Sequence, residues 1–442
     1  MPRLSVIVTT FNIDAYIAQC LDSVIAQTLK HIEVIVVDDG STDGTRSIIE
    51  QYAQRDPRIS PVLLEQNSPG GVATAANAGL ARATAPYVGF MDGDDYCEPT
   101  MFERLLVAAE QHDTDLAMCS FRLVDATTGK TAPAPDSHLW SYLHSSHYVL
   151  DAASRRRLLD FNAVPWRKVY RTEMLNSENL RFPVGDYFYE DNPFHWFALL
   201  SARSIALVPE VLCYHRMERE GQSMVVADAR LLRIFDHHWT IHSFLVERGL
   251  LDLYAPNLVS WVIRQAGWIA TRTPPESRRD LFDRLHAILE AYEPYVFREG
   301  LSLSPRGTRV TGVARAARRG NYEAFCRFLD EGVAADADSG ATPLRAAENP
   351  GDHEAPSRLR AATRRFSALA RRGRRTTQEP PEATSDPITI EGGPTVSGTP
   401  SIDTTDLMFA LVVLQRRLGA AEAEIREMRA TLAGPDTLDG PS

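Results

Sequence analysis

The chain of 442 residues is too long for one ordinary core, and its composition, 24% charged and 44% hydrophobic, is that of a soluble globular protein. A formal net charge of -11 excludes nucleic-acid binding by the whole surface, although arginine is concentrated late in the chain. Five cysteines without a CxxC pair exclude a zinc site or a disulfide framework, and no run of about 18 apolar residues occurs, so a cytoplasmic protein is expected, with membrane contact on that face left open.

Residues 4–9 (Leu-Ser-Val-Ile-Val-Thr) read as a first strand, and residues 14–27 as a helix with Ile17, Leu21, Val24 and Ile25 on one face. The unbroken apolar run Val34 to Val37 suggests a strand covered on both faces, as in a parallel sheet. A helix at 45–55, a strand at 59–64, a helix at 72–83 and a strand at 87–91 follow. This alternation predicts an α/β fold, a mostly parallel sheet with helices on both faces. Further on come a helix at 100–111, a strand at 116–121, an insertion loop at 125–137, a helix ending near Ala202, and strands at 205–208 and 211–215.

Residues 225–300 carry helical patterns and are expected to pack on a catalytic unit at 1–224, with Trp239, Trp261 and Trp268 as packing residues rather than sugar platforms. A helical, Arg-rich region at 301–375 suits either a solvated helix or anionic lipid. Residues 376–405 have the composition of a disordered linker. Leu407, Leu411, Leu414, Leu418, Ala421, Ile425, Met428 and Leu432 then trace a coiled-coil seam, so residues 406–433 predict a homo-oligomer, dimer or trimer.

Three strands end in polar or acidic clusters: Thr9-Thr10-Phe11-Asn12, Asp38-Asp39 and Asp92-Gly93-Asp94-Asp95. In a parallel sheet these ends share one edge, where ligands of open α/β sheets bind. Carboxylates this close repel unless a cation neutralises them, and hard oxygen ligands suit Mg²⁺ or Mn²⁺. Asp95 also reads as a cap of the next helix, with Glu98 three residues on. Asp191 fits either an N-cap before Pro193 or a general base. In the segment from Tyr214 to Ser223, His215 can complete a metal shell and Arg216 and Arg219 can clamp a diphosphate, or the whole is a solvated loop.

Taken in order, Ser5 to Asn12, Glu33 to Asp43, Asn77-Ala78-Gly79-Leu80, Phe90 to Asp95, Trp166 to Tyr170, Glu190-Asp191 and Tyr214-His215-Arg216 resemble the family 2 glycosyltransferases of the GT-A fold, especially bacterial enzymes that decorate cell-surface polysaccharide or teichoic acid. The resemblance covers about half the chain, residues 4–223. It implies an inverting transfer from a nucleotide-diphosphate sugar, a UDP-sugar by expectation, to a glycan or polyol-phosphate acceptor, with Mn²⁺ or Mg²⁺ as cofactor. Thr9 and Phe11 would hold the nucleotide base, and Asp39, or less readily Asp38, would accept from uracil or ribose. Asp92 would lie near ribose and diphosphate, Asp94 would bind the metal with Asp92 and His215, and Asp191 would be the base, paired with Glu190. Arg216 and Ser223 would belong to the segment over the diphosphate. Ala76 stands where the family often has Arg, Pro86 where Gly is usual, and Phe11 where Tyr is commoner. Two other classes stay open: a nucleotidyltransferase, against which the Gly- and Arg/Lys-poor Thr10-Phe11-Asn12 speaks, and a non-catalytic nucleotide-binding scaffold.

Overall fold

The computed structural model describes residues 1–69, 71–185, 188–217, 229–270, 272–304 and 308–338. Ser223, Arg219, the arginine run from Arg358, the linker at 376–405 and the coiled coil at 406–433 lie outside the described residues.

Ten strands form one sheet: β1 (Leu4–Thr10), β2 (Ile32–Asp38), β3 (Ile59–Leu63), β4 (Tyr87–Asp92), β5 (Tyr96–Cys97), β6 (Leu116–Asp125), β7 (Thr131–Pro133), β8 (His147–Val149), β9 (Lys168–Arg171) and β10 (Ser204–Met217). The spatial order is β3-β2-β1-β4-β9-β6-β10-β5, with β7 beside β6 and β8 beside β10. β3, β2, β1 and β4 run parallel, β9 is antiparallel to both β4 and β6, and β10 is parallel to β6. The sheet is therefore mixed, with a parallel half that carries the clustered strand ends.

Helices α1 (Ile17–Ile25), α2 (Thr45–Arg55), α3 (Ala73–Leu80), α4 (Met101–Gln111), α5 (Ala152–Leu158), α6 (Thr172–Ser177) and α7 (Asp191–Ser201) alternate with the strands. The period-2 alternation of a strand divides the core. Val6, Val8, Val34 and Val36 pack with α1 and α4, whereas Ile7, Ile35, Val37 and Phe90 pack with α3 and α7. Gly79 in α3 sits so close to Ile7 of β1 that a Cβ would collide with it, which explains the glycine by close approach rather than by flexibility.

The second core continues into α8 (Asp236–Glu247), α9 (Leu251–Ala270), α10 (Arg278–Glu290), α11 (Pro294–Leu303), α12 (Thr308–Arg318) and α13 (Tyr322–Asp338). Leu258, Trp261 and Val262 of α9 are buried with Phe194 and Trp196 of α7, so the helical region is built against the helix that carries Asp191. No helix among the described residues is long and apolar enough to cross a membrane.

Two local expectations are corrected. Residues 125–137 are no structureless insertion: the Asp125 carboxylate accepts the N–H groups of Thr127 and Thr128, Gly129 takes φ +67°, and the chain returns as β7. An Asx turn plus a left-handed glycine is hairpin chemistry. The two short strands expected at 205–208 and 211–215 are one strand, β10, whose register against β6 shifts between Val208 and Cys213, a bulge that lets Pro209 interrupt the pattern without ending it.

Candidate active site at the sheet edge

β1, β2 and β4 end side by side, Thr10 pairing with Asp38 and Thr9 with Asp92. At the end of β4 the N–H of Gly93 donates to the carbonyl of Thr9 (2.9 Å), so the turn stays fastened to β1. A Cβ on Gly93 would come within 2.5 Å of Ile13 Cδ1 and 2.8 Å of Thr10 Cγ2. Close approach, not an unusual backbone angle, demands glycine here. The consequence is a set of carboxylate oxygens from Asp92, Asp94 and Asp95 within 4.8 Å of one another.

Burial, and then the charges of Asp95 and Asp94, push the Asp92 carboxyl well above its ordinary pKa. Burial and Asp94 also raise Asp95, which His215 opposes. His215 Nδ1 lies 2.8 Å from Asp95 Oδ2, and its ring stacks on Trp166 at 5.2 Å. Burial works against its protonation, but Asp95, then Asp94 and Asp92, prevail and lift its pKa to about 9. Of the expected ligands Asp94, Asp92 and His215, the two acids lie in one cluster with Asp95, and His215 is hydrogen-bonded to Asp95. Asp95 accordingly does not cap α4, whose N-cap is Thr100.

Arg216 fixes the same turn from behind. Its backbone N–H donates to Asp95 Oδ1 and its Nε to the Asp94 carbonyl, each at 2.8 Å, and its Nη2 to Gln19 Oε1 at 2.8 Å. The guanidinium lies 4.8 Å from the Tyr16 ring centroid, a cation–π contact. The residue expected to clamp a diphosphate is here engaged in holding Asp94 and Asp95.

The nucleotide-side residues divide in the same way. Phe11 is 40% exposed beyond β1, a free ring face for stacking. Thr9 is buried and its Oγ1 lies 3.5 Å from Asp92 Oδ1, turned toward the acid cluster. Asp38 is fully buried and accepts from Arg46 Nε (2.7 Å), Thr10 Oγ1 (3.2 Å) and the Ser41 N–H (3.0 Å), so its carboxylate belongs to the scaffold. Asp39 accepts from Ser68 Oγ (2.6 Å) and the Ser68 N–H (3.1 Å), tying the strand end to the loop before α3.

Across from these stands the start of α7. The chain enters it through Tyr189 at φ +69°, a costly region for a residue with a Cβ. Glu190 turns back to accept the Ala73 N–H at 3.0 Å, at the first turn of α3. Burial raises its pKa to about 7, against the backbone hydrogen bonds that favour the carboxylate. Glu190, expected beside Asp191 in the catalytic pair, thus ties α7 to the head of α3, and Asp191 is not the N-cap of its helix, whose N-cap is Glu190. Asp191 is pushed up by burial and drawn down by the ammonium of Lys168 and by its neighbour Asn192, whose Nδ2 donates to Oδ1 at 2.9 Å.

Sequence reasoning missed Lys168, Asn192 and Trp261. Lys168, one of three lysines in the chain, is buried, donates to the carbonyls of Ala163 (3.2 Å) and Val164 (2.6 Å), and has its pKa driven well down by burial and Arg167, with Asp191 opposing. Its rarity on an apolar strand was the one available signal. Trp261 of α9 donates its indole N–H to Asn192 Oδ1 at 3.0 Å, a link between elements 69 residues apart that no local pattern carries.

Residues 5–176 match the family described as Glycosyl transferase family 2. The uncharacterized glycosyltransferase EpsJ of Bacillus subtilis is 35% identical over 218 residues, 49% of this chain and 61% of EpsJ. The putative glycosyltransferase EpsH of the same organism is 28% identical over 308 residues, 68% of this chain and 86% of EpsH. The chain thus spans less than two thirds of EpsJ. Among solved structures, Staphylococcus aureus TarS 1-349 in complex with UDP-GlcNAc superimposes with a TM-score of 0.61 at 22% identity, covering 78% of this chain and 93% of that one. The fold is that of TarS, of GT-A type, and residues 5–176 carry the match to the family 2 glycosyltransferases.

Proposed function

We propose that the protein is an inverting glycosyltransferase that moves a sugar from a nucleotide-diphosphate donor, with UDP as the nucleotide, to a hydroxyl of a cell-surface glycan or polyol-phosphate acceptor. The observation that carries this reading is the convergence of Asp92, Asp94 and Asp95 at the edge where β1, β2 and β4 end. TarS, 30% identical over 226 residues, is named a poly(ribitol-phosphate) beta-N-acetylglucosaminyltransferase, and TarS 1-349 is solved in complex with UDP-GlcNAc, which supports the donor and acceptor classes. In this reading residues 1–224 form the catalytic unit and residues 225–300 a helical unit packed on it.

The acid cluster fits Mn²⁺ or Mg²⁺. It is an all-oxygen donor set of hard ligands whose carboxylates lie within 4.8 Å of one another, and close like charges of this kind favour a cation between them. Asp94 and Asp92 would hold the ion, with Asp95 fixed behind them by His215 and Arg216. When bound, the cation supplies Lewis-acid stabilisation of the leaving diphosphate.

This chain's residues would do the rest. Phe11 stacks on the base, and Asp191 receives the proton of the acceptor hydroxyl. The hydroxyl oxygen forms the new bond to the anomeric carbon as the sugar–phosphate C–O bond breaks, and the nucleoside diphosphate leaves with that electron pair, so a single displacement inverts the centre. When protonated, Lys168 opposes the burial that raises the Asp191 carboxyl.

The test is calorimetric binding of UDP with and without Mn²⁺, followed by turnover of UDP-sugars. Asp94→Ala is expected to abolish Mn²⁺-dependent UDP binding and turnover; full donor turnover by that variant in EDTA would overturn the metal assignment. Self-association through residues 406–433 is part of the same reading, and an unchanged solution mass after truncation at Thr405 would remove it.

A further inference from the structure

The Asn192 side chain stands between the carboxylate at the head of α7 and the helical region. Its Nδ2 lies 2.9 Å from Asp191 Oδ1 and 3.1 Å from the Tyr189 carbonyl, and its Oδ1 lies 3.0 Å from Trp261 Nε1 of α9. An amide can be turned end for end, and only its neighbours decide which way it stands. Here all three neighbours agree. An indole N–H only donates, so the amide oxygen faces Trp261; a carbonyl and a carboxylate accept, so the amide nitrogen faces Tyr189 and Asp191. Turned over, the amide would set oxygen against oxygen on one side and N–H against N–H on the other.

Both amide hydrogens are thereby used, one on the carbonyl of Tyr189, which enters α7 at φ +69°, and one on Asp191 Oδ1. No other side chain among the described residues donates to that carboxylate, so Oδ1 is held and Oδ2 is left for a proton. The far end of the relay is a fixed point. Trp261 is 3% exposed, and Leu258 and Val262 beside it on α9 are fully buried. The charges that face Asp191 come from elsewhere: Lys168 of β9 favours its ionised form, while Asp92 of β4 and Glu190 just before it oppose that form. Tyr170 of β9 and Tyr189 are its neutral titratable neighbours. Trp261 and Asn192 add no charge to this set, so what they contribute is direction.

We propose that Trp261 is a positioning residue for the base: through Asn192 it holds Asp191 Oδ1 and leaves Oδ2 to take the proton of the acceptor hydroxyl. The helical region then completes the catalytic unit rather than merely covering it. This role rests on the glycosyl-transfer reading of Asp191 given above.

One measurement needs no substrate. In the full chain the indole N–H resonance of Trp261, identified by its absence in Trp261→Phe, is followed against pH together with the carboxyl carbon of Asp191, identified by its absence in Asp191→Asn. The indole resonance is expected to move with the Asp191 titration. Asn192→Leu should break that tie and shift the Asp191 midpoint upward, because a donor to the carboxylate is gone. An indole resonance indifferent to Asp191 overturns the relay.

The second measurement is turnover, with Mn²⁺, of the UDP-sugar that the wild type uses fastest. Trp261→Phe keeps an apolar ring and loses the N–H, so kcat should fall about tenfold, the worth of one hydrogen bond, with KM for the donor unchanged. Asn192→Leu should cost about thirtyfold, the worth of a hydrogen bond to a charged group. Because Trp261 acts through Asn192, the double variant should be no slower than Asn192→Leu alone. Independent structural losses would multiply to about 300-fold instead, which overturns the relay. Asn192→Ala gives the same comparison where leucine is not accommodated. Donor turnover with kcat unchanged in Trp261→Phe overturns the positioning role alone, whereas a wild type that turns over no UDP-sugar overturns the glycosyl-transfer reading and the base with it, whatever the resonances show.

Discussion

At the end of β4 the adjacent acids Asp94 and Asp95 stay together with Asp92, their oxygens within 4.8 Å, whereas at the start of α7 the adjacent acids Glu190 and Asp191 part. A strand end fastened to its neighbour by the Gly93–Thr9 bond has little freedom to spread its charges. A helix start after a left-handed Tyr189 does, and the unpaired N–H groups at the head of α3 draw Glu190 away. The first arrangement gathers negative charge and the second leaves Asp191 beside a buried lysine; in the proposed function the one serves a cation and the other a base.

The sharpest break of this comparison is Asp191→Asn. If the two acids of α7 do different work, transfer should fall by about 10² to 10⁴-fold, the usual worth of a general base, while UDP affinity is retained. Unchanged turnover would return Asp191 to a structural role.

Glu190→Gln tests the other half. Burial raises Glu190 to about 7, well above the ordinary carboxylate range. A raised folded-state pKa means that its contribution to stability is fully present below the unfolded value and is lost as pH rises through about 7. The wild type should therefore lose on the order of 3 kcal/mol from this group across that window, and Glu190→Gln should flatten the slope. Urea denaturation as a function of pH measures it, and an equal slope in the variant would show that Glu190 does not titrate as placed.

Gly93→Ala sharpens the strand-end half. Its Cβ would press on Ile13 and Thr10, and overpacking of this kind costs about 1–3 kcal/mol, visible as a lower denaturation midpoint together with weaker Mn²⁺ binding. The smallest effect is expected from Asp92→Asn in EDTA. Removing one of three mutually repelling charges should raise the melting temperature of the metal-free protein and cancel the further rise that Mn²⁺ gives the wild type. A lower melting temperature in EDTA would mean that the Asp92 charge is stabilised by something other than a cation.

Much of the site was legible in the chain because its parts are strand ends. Apolar runs that stop in Thr9-Thr10-Phe11-Asn12, Asp38-Asp39 and Asp92-Gly93-Asp94-Asp95 become neighbours in any parallel sheet, since parallel register puts every carboxyl end on one edge. What the sequence left open was the direction of each side chain. Asp38 and Asp39 are adjacent, yet one is closed off by Arg46 and Ser41 and the other binds Ser68. His215 and Arg216 come from a strand 120 residues beyond the acid cluster, and their bonds to Asp95 and the Asp94 carbonyl carry no local signal in the chain.

The sequence by itself determined the alternation of strand and helix, the edge where the acids gather and the family, because periodicity and strand-end chemistry are local properties written into a few consecutive residues. Only the tertiary structure decided that Glu190 serves α3, that His215 bonds Asp95 of the acid cluster, and that Trp261 reaches Asp191 through Asn192. Those contacts join segments about seventy to one hundred and twenty residues apart, and their partners are set by which helix end or strand edge each side chain meets after packing.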